Sequence, residues 1–279
     1  YLNITIEYIN QIEFSSPNSD SYSITEISGD SIPIQVPNAN FTILHVVTNG
    51  TAVSDISGIN IASAKNYTSS YSPTGKPRVE TWYWSDPNVS AVEIYFSQSC
   101  KGVVCVFGLE NVNTTDPIGS VTSEYGDGKA ASIDITTKCN NSVVVSILGA
   151  LSDKNGFQIR ENEFNWSRLI EWGSYKLACG GNDEDAPLND TLSWSFNKQA
   201  NWTVLAVEIR AKQVEVNASL PPSNLTIYYV SGSGEYMISG SLGLEIPDGA
   251  IIERCVVRIG FVDGRGIRGV VEKDVEPSG

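Results

Sequence analysis

Apolar and polar residues alternate from the first positions of this chain, and that pattern constrains its fold more than any other feature. In YLNITIEYINQIEF, Leu2, Ile4, Ile6, Tyr8, Ile12 and Phe14 share one parity, broken only by Asn10. Asn3, Thr5, Glu7, Gln11 and Glu13 hold the other, where Ile9 is the apolar exception. A period of two puts the first set on one face of a half-buried strand. Helical periodicity is nearly absent elsewhere. Further strand-like runs cover 31–36, 41–48, 78–84, 91–98, 103–109, 131–137, 142–148, 169–177, 192–196 and 202–210. Turn signals at 55–58, 85–88, 126–128 and 197–201 separate them. Short strands at this spacing predict an all-β chain, an antiparallel β-sandwich.

N-glycosylation acceptors of the form N-x-S/T stand at Asn3, Asn40, Asn49, Asn66, Asn88, Asn113, Asn140, Asn165, Asn189, Asn201, Asn217 and Asn224. These are 12 of 22 asparagines, where chance placement would give roughly four. The excess predicts an exported, extracellular or cell-surface glycoprotein carrying N-linked glycans. A net charge of −14 argues against nucleic acid as a partner. No apolar run approaches the ~18 residues that span a bilayer. The start at Tyr1, without a basic and apolar leader, is read as a processed N-terminus.

The five cysteines fit an oxidising compartment. Cys100 and Cys105 are spaced to bridge the arms of a hairpin, Cys139 and Cys179 are candidates for a second bridge, and Cys255 is left over, either reduced or paired between chains. The acidic stretch GGNDEDAPLND offers Asn182, Asp183, Glu184, Asp185 and Asp190. It reads either as a solvated loop or as an oxygen-rich Ca²⁺ site, without the spacing of a helix-loop-helix calcium loop. The single histidine, His45, sits inside FTILHVVT and reads as a strand residue. There is no GxSxG, HExxH, P-loop or strand-to-helix GxGxxG, so no catalytic residue is assigned and the chain is read as a non-enzyme. The aromatics Trp82, Tyr83 and Trp84 alternate and are expected to place rings in the core.

Pro221 and Pro222, between two sequons, mark a linker. The expected domains are an N-terminal strand at 1–14, a sandwich head at 15–212 and a small C-terminal β module at 213–279. That module holds strands near 225–230, 235–246, 255–262 and 266–271, with Asp263-Gly264 as a hairpin turn. Residues 25–210 resemble a β-sandwich module of secreted, cell-surface and phage structural proteins of prokaryotes. The run that carries the likeness is WYWSDPNVSAVEIYFSQSCKGVVCVFGLENVNTTDPIGSV, with SVVVSILGA and WTVLAVEIR further on. The resemblance implies a jelly-roll-like sandwich and transfers no catalytic residues.

The overall plan is similar to subunits of archaeal extracellular filaments (threads, bundling pili and cannulae), on the strength of Tyr1–Phe14 and the sequons. It implies donor-strand complementation, in which copies of the chain are each other's partners and the head accepts the strand. Burying six apolar side chains at ~1.5–3 kcal/mol each would contribute about 9–18 kcal/mol before entropy. The rival readings are a carbohydrate-binding or adhesin domain that meets surface glycans, and a virion surface protein.

Overall fold

The fold was analysed on a computed structural model. It describes residues 2–9, 11–14, 23–58, 65–68, 77–85, 88–139, 141–160, 166–172, 175–185, 189–220, 225–230, 235–240, 250–263 and 266–275. Most of the described residues are in strands, all their pairings are antiparallel, and none of these residues is helical. The strands are β1 (Leu2–Ile9), β2 (Glu13–Phe14), β3 (Ser23–Gln35), β4 (Phe41–Thr48), β5 (Val53–Ser57), β6 (Lys65–Thr68), β7 (Arg78–Trp84), β8 (Ala91–Glu110) and β9 (Ile118–Thr136). They continue as β10 (Val143–Ser152), β11 (Trp166–Trp172), β12 (Tyr175–Asp185), β13 (Asn189–Ile209), β14 (Gln213–Leu220), β15 (Leu225–Val230), β16 (Glu235–Gly240), β17 (Ile251–Asp263) and β18 (Gly266–Val275).

The chain divides into two compact units, Ile12–Lys212 and Tyr1–Gln11 with Gln213–Gly279. The larger unit is an antiparallel sandwich built twice. In the first repeat the strands run β3-β8-β4-β7-β6, with β5 continuing beside β8. In the second they run β9-β13-β10-β12-β11. The register repeats as well. Gly29 faces Cys100 and Ser31 faces Tyr95, so residues 96–99 bulge out of β8. Gly128 faces Ala200 and Ala130 faces Ser195, so residues 196–199 bulge out of β13. Both glycines hold a positive φ, 152° and 148°, a region open to glycine but strained for other residues.

The duplication explains where the core sits. Ile32, Ile34, Val36, Val92, Ile94, Phe96, Cys100, Val104 and Val106 pack in one cluster. Their register equivalents Ala131, Ile133, Ile135, Trp194, Phe196, Ala200, Val204 and Ala206 pack in another, with Leu192 at its margin. Each repeat thus closes over its own core, because the long strands β8 and β13 bend at their bulges. The opposite faces of the two sheets meet each other, so β4 and β10 are buried at every position. Val47 and Gly149 hold equivalent places, opposite Val103 and Thr203. They also meet: a Cβ on Gly149 would lie 2.7 Å from Val47 Cγ1. Contact between equivalent residues is what an approximate two-fold axis between the repeats produces.

Several sequence expectations are refined here. The runs at 91–98 and 103–109 are one strand, as are those at 192–196 and 202–210. The turn signals at 126–128 and 197–201 belong to the two sides of the second bulge. The run at 169–177 is instead the meeting of β11 and β12. Tyr83 and Trp84 are buried on opposite faces of β7, the first against Phe41 and the second in the first core.

The smaller unit holds a four-stranded sheet, β14-β1-β17-β18, and a separate β15-β16 hairpin. β17 and β18 meet at Asp263 and Gly266, where a hairpin turn is expected.

Candidate functional site

The N-terminal strand occupies a slot. All eight residues of β1 pair with β14, from Leu2 opposite Leu220 to Ile9 opposite Gln213. On its other edge it pairs with β17, from Leu2 opposite Ile259 to Ile9 opposite Ile251. β14 and β17 do not pair with each other, so β1 supplies the backbone partners for both. Ile6 is buried as its parity demands, but Thr5 is buried too, so both faces of the strand are covered there. Glu7 adds a long ion pair with Arg254, at 3.9 Å and partly exposed.

Two corrections follow for the segment 1–14. It is not one strand, since β1 and β2 belong to different units. Of the residues expected on the donated strand, Leu2, Ile4, Ile6 and Tyr8 lie in β1. Ile12 is buried in the larger unit, and Phe14 packs on Phe107 at 5.7 Å between ring centroids. The strand's partners also lie in the C-terminal unit, not in the sandwich head. Register explains this: β14 offers it an unbroken ladder on one side, and β17 pairs along its whole length on the other, with one register shift between Glu7 and Tyr8.

The acceptor asparagines are spread over both units. Asn40, Asn88, Asn189 and Asn201 are exposed, whereas Asn49 and Asn113 are half-buried. Asn113 Oδ1 accepts hydrogen bonds from the N–H groups of Thr115 and Asp116. This turn leads from one repeat to the next and contains the Thr-Asp-Pro step, whose Asp116 pairs with Arg210. Asn66 lies in β6, Asn3 in β1 and Asn217 in β14. The last two sequons are neighbours: Asn3 faces Ser219 and Thr5 faces Asn217. Asn140, Asn165 and Asn224 lie outside the described residues.

No disulfide joins any two of the five cysteines in this structure. The expected Cys100–Cys105 bridge is ruled out by the backbone, because both sit on regular β8 within its pairing to β3. Five residues of strand separate them by about 16 Å, against the ~4.4–6.8 Å between Cα atoms that a disulfide spans. The Cys139–Cys179 pairing fails in the same way. Cys139 donates its N–H to Glu208, which faces Val144 at one end of β10. Cys179 faces Gly149, five residues along that strand. Cys255 lies on β17 between Ile6 and Val275, half-buried.

Asn182, Asp183, Glu184 and Asp185 are strand residues of β12, paired with Ser146, Val145, Val144 and Val143. Asp190 is in β13 opposite Ile135. The acidic stretch is therefore mainly ladder, with only 186–188 between the two strands. Among the described residues no group of three His, Cys, Asp or Glu is placed to hold a metal ion. The buried titratable side chains His45, Glu80 and Glu208 have structural partners. His45 Nδ1 is 2.8 Å from Thr81 Oγ1, and burial lowers its pKa to about 3. Glu80 accepts the Trp82 indole N–H at 2.9 Å and the Val53 N–H at 3.2 Å, and pairs with Arg78.

Glu208 is fully buried and accepts the N–H groups of Ser120 at 2.7 Å, Lys138 at 2.9 Å and Cys139 at 3.0 Å, with the Ser142 hydroxyl at 2.8 Å. Burial alone would raise its pKa; the hydrogen bonds outweigh it and hold the carboxyl below its ordinary value. Glu208 was not singled out in the sequence, although a lone acid in the apolar run TVLAVEI is the signal that could have found it. The chain matches no protein-family model, no curated protein and no solved structure. Among the described residues there is no helix long and apolar enough to cross a membrane.

Proposed function

We propose that this chain is the structural subunit of an extracellular, glycosylated filament or tube, joined by exchange of β1 between copies. The observation that carries the reading is the slot between β14 and β17, which one short N-terminal strand fills along its whole length. The same ladder can be completed by the β1 of a neighbouring copy, with the same hydrogen bonds and the same buried Thr5 and Ile6. A head-to-tail exchange of this kind does not close on itself, so it propagates as a polymer. The acceptor is the C-terminal unit of the next copy, and the twofold-repeated sandwich is the body that the joint connects. The exposed acceptor asparagines on that body suit a glycan coat. In this reading the chain does no catalysis, and the buried His45, Glu80 and Glu208 hold the fold.

Electron microscopy of the full chain beside a variant lacking residues 1–9 tests it. Filaments from the first and dispersed particles from the second are expected. A synthetic peptide of residues 1–10 should then bind the deletion variant and cap growing ends of the full chain. Stable monomers at every concentration, unaffected by the peptide, would sink the reading and favour an adhesin-like domain.

A further inference from the structure

Cys105 and Cys179 have no place in either core cluster, although both are fully buried. Their strand neighbours Val104 and Val106 face the first core, and Ala178 faces the second. Alternation turns the two cysteines the other way, into the layer where the sheets of the two repeats meet. Cys105 faces His45 on β4, two residues from Val47. Cys179 faces Gly149 on β10. Val47 and Gly149 are the pair that touch between the sheets. Sheets packed face to face usually stand about 10 Å apart, too far for a disulfide, but Gly149 presents no side chain and admits Val47 closely. The approximate two-fold that relates Val47 to Gly149 also relates Cys105 to Leu205 and Cys179 to Val79. At the matching place the chain therefore carries an aliphatic pair, Leu205 on β13 and Val79 on β7, two strands that contact each other.

We propose that Cys105 and Cys179 form a disulfide that ties the two repeats together across their facing sheets. Both thiols are pushed up in pKa by burial, and the Cys179 charge raises Cys105 further. Thiols held protonated and out of water react slowly, so the bond forms while the sheets are closing rather than after. The step is an exchange with a low-molecular-weight disulfide. Two S–H bonds and the reagent's S–S bond break, the protein S–S bond forms, and the reagent leaves as two thiols carrying both protons and both electrons. This pair differs from the two bridges that the spacing of the cysteines suggests. It stands whether or not β1 is exchanged.

The test refolds the full chain in a buffer of oxidised and reduced glutathione, then blocks remaining thiols with iodoacetamide in denaturant. Cleavage after Lys and Arg separates all five cysteines, since Cys105 falls in 102–129 and Cys179 in 177–198. After glycan removal, those two peptides should appear joined, two hydrogens lighter than their sum, and part on reduction. Recovery of both as alkylated thiols, or of either joined to Cys100, Cys139 or Cys255, overturns the proposal. In single variants Cys105→Ala and Cys179→Ala, the remaining partner should become fully alkylated; a partner still blocked would overturn it equally.

Discussion

The two repeats of the larger unit share a backbone and differ in what they bury. β8 and β13 pass through the same bulge, with Phe96 and Phe196 as its first residues and Cys100 and Ala200 after it, all four buried. The first repeat hides a neutral histidine and the Glu80 carboxylate; the second hides the Glu208 carboxylate. None of these has a polar equivalent in the other repeat. Glu80 matches Gly180, Glu208 matches Gly108, and His45 matches Ile147. Bulge and core patterning thus belong to the shared architecture, while each polar staple serves one copy. Glu208 pins the start of β9 and the turn before β10 to β13, and Gly108 pins nothing of the kind.

Removing that staple is the strongest way to break the comparison. Glu208→Ala strands four donors, and at ~1 kcal/mol for each it should cost about 4 kcal/mol. The matched change Gly108→Ala probes no polar contact. Urea unfolding followed by tryptophan fluorescence reads both. A small loss for Glu208→Ala would mean that water replaces the carboxylate and that the staple adds little.

Acid should separate the repeats in a different way. The His45 pKa is near 3 in the fold, against an ordinary 6.5. Between those values the unfolded chain holds the extra proton, so stability rises with pH. The contribution is complete above 6.5 and is lost toward pH 3, at up to ~1.4 kcal/mol per pH unit. Glu208, held below its ordinary pKa, loses its contribution only at lower pH, as the carboxyl protonates. Stability measured from pH 7 to 4.5 should fall in the native chain and stay nearly flat in His45→Gln. A flat native profile would show that the imidazole protonates in place.

Alternation made the strands legible, and it located β4, β7 and β10 well. The duplication was not legible, because it is written in burial rather than identity. Between 91–110 and 191–210 only Phe96/Phe196 and Val104/Val204 are identical, yet the buried positions nearly coincide. Gly128 and Asn197 carry the residue types of turns, and a bulge uses the same residues for the same positive φ or exposed backbone. The slot for β1 lay beyond reach for another reason. A strand's own pattern says that one face is apolar, not which two strands will flank it. The cysteines misled because spacing along the chain ignores which strand each one occupies.

The contact on the approximate axis offers a smaller perturbation. Gly149→Ala puts a Cβ 2.7 Å from Val47 Cγ1 and 3.1 Å from Pro77 Cβ. Overpacking of this kind should cost about 1–3 kcal/mol. Val47→Ala removes the colliding methyl, so the double variant should recover part of the loss, with a coupling of about 1 kcal/mol. Strict additivity in a double-mutant cycle would mean that the repeats do not press on each other at this point.

The smallest effect tests the likeness itself. Gly29 and Gly128 occupy the same corner of the same bulge, and an added Cβ would approach nothing closer than 3.8 Å at the first or 3.9 Å at the second. Sterics with neighbours are therefore absent from both, and the cost of Gly29→Ala or Gly128→Ala is the backbone strain of a positive φ alone. That strain is of order 1 kcal/mol. Because the angles differ by only a few degrees, the two variants should lose the same stability within ~0.5 kcal/mol, and the losses should add. Equal losses would extend the two-fold likeness from register to energetics. A clear inequality would locate a constraint that one bulge has and the other lacks, and β5, a strand beside the first bulge that is matched at the second only by the single Ile159–Phe196 bridge, is where it would lie.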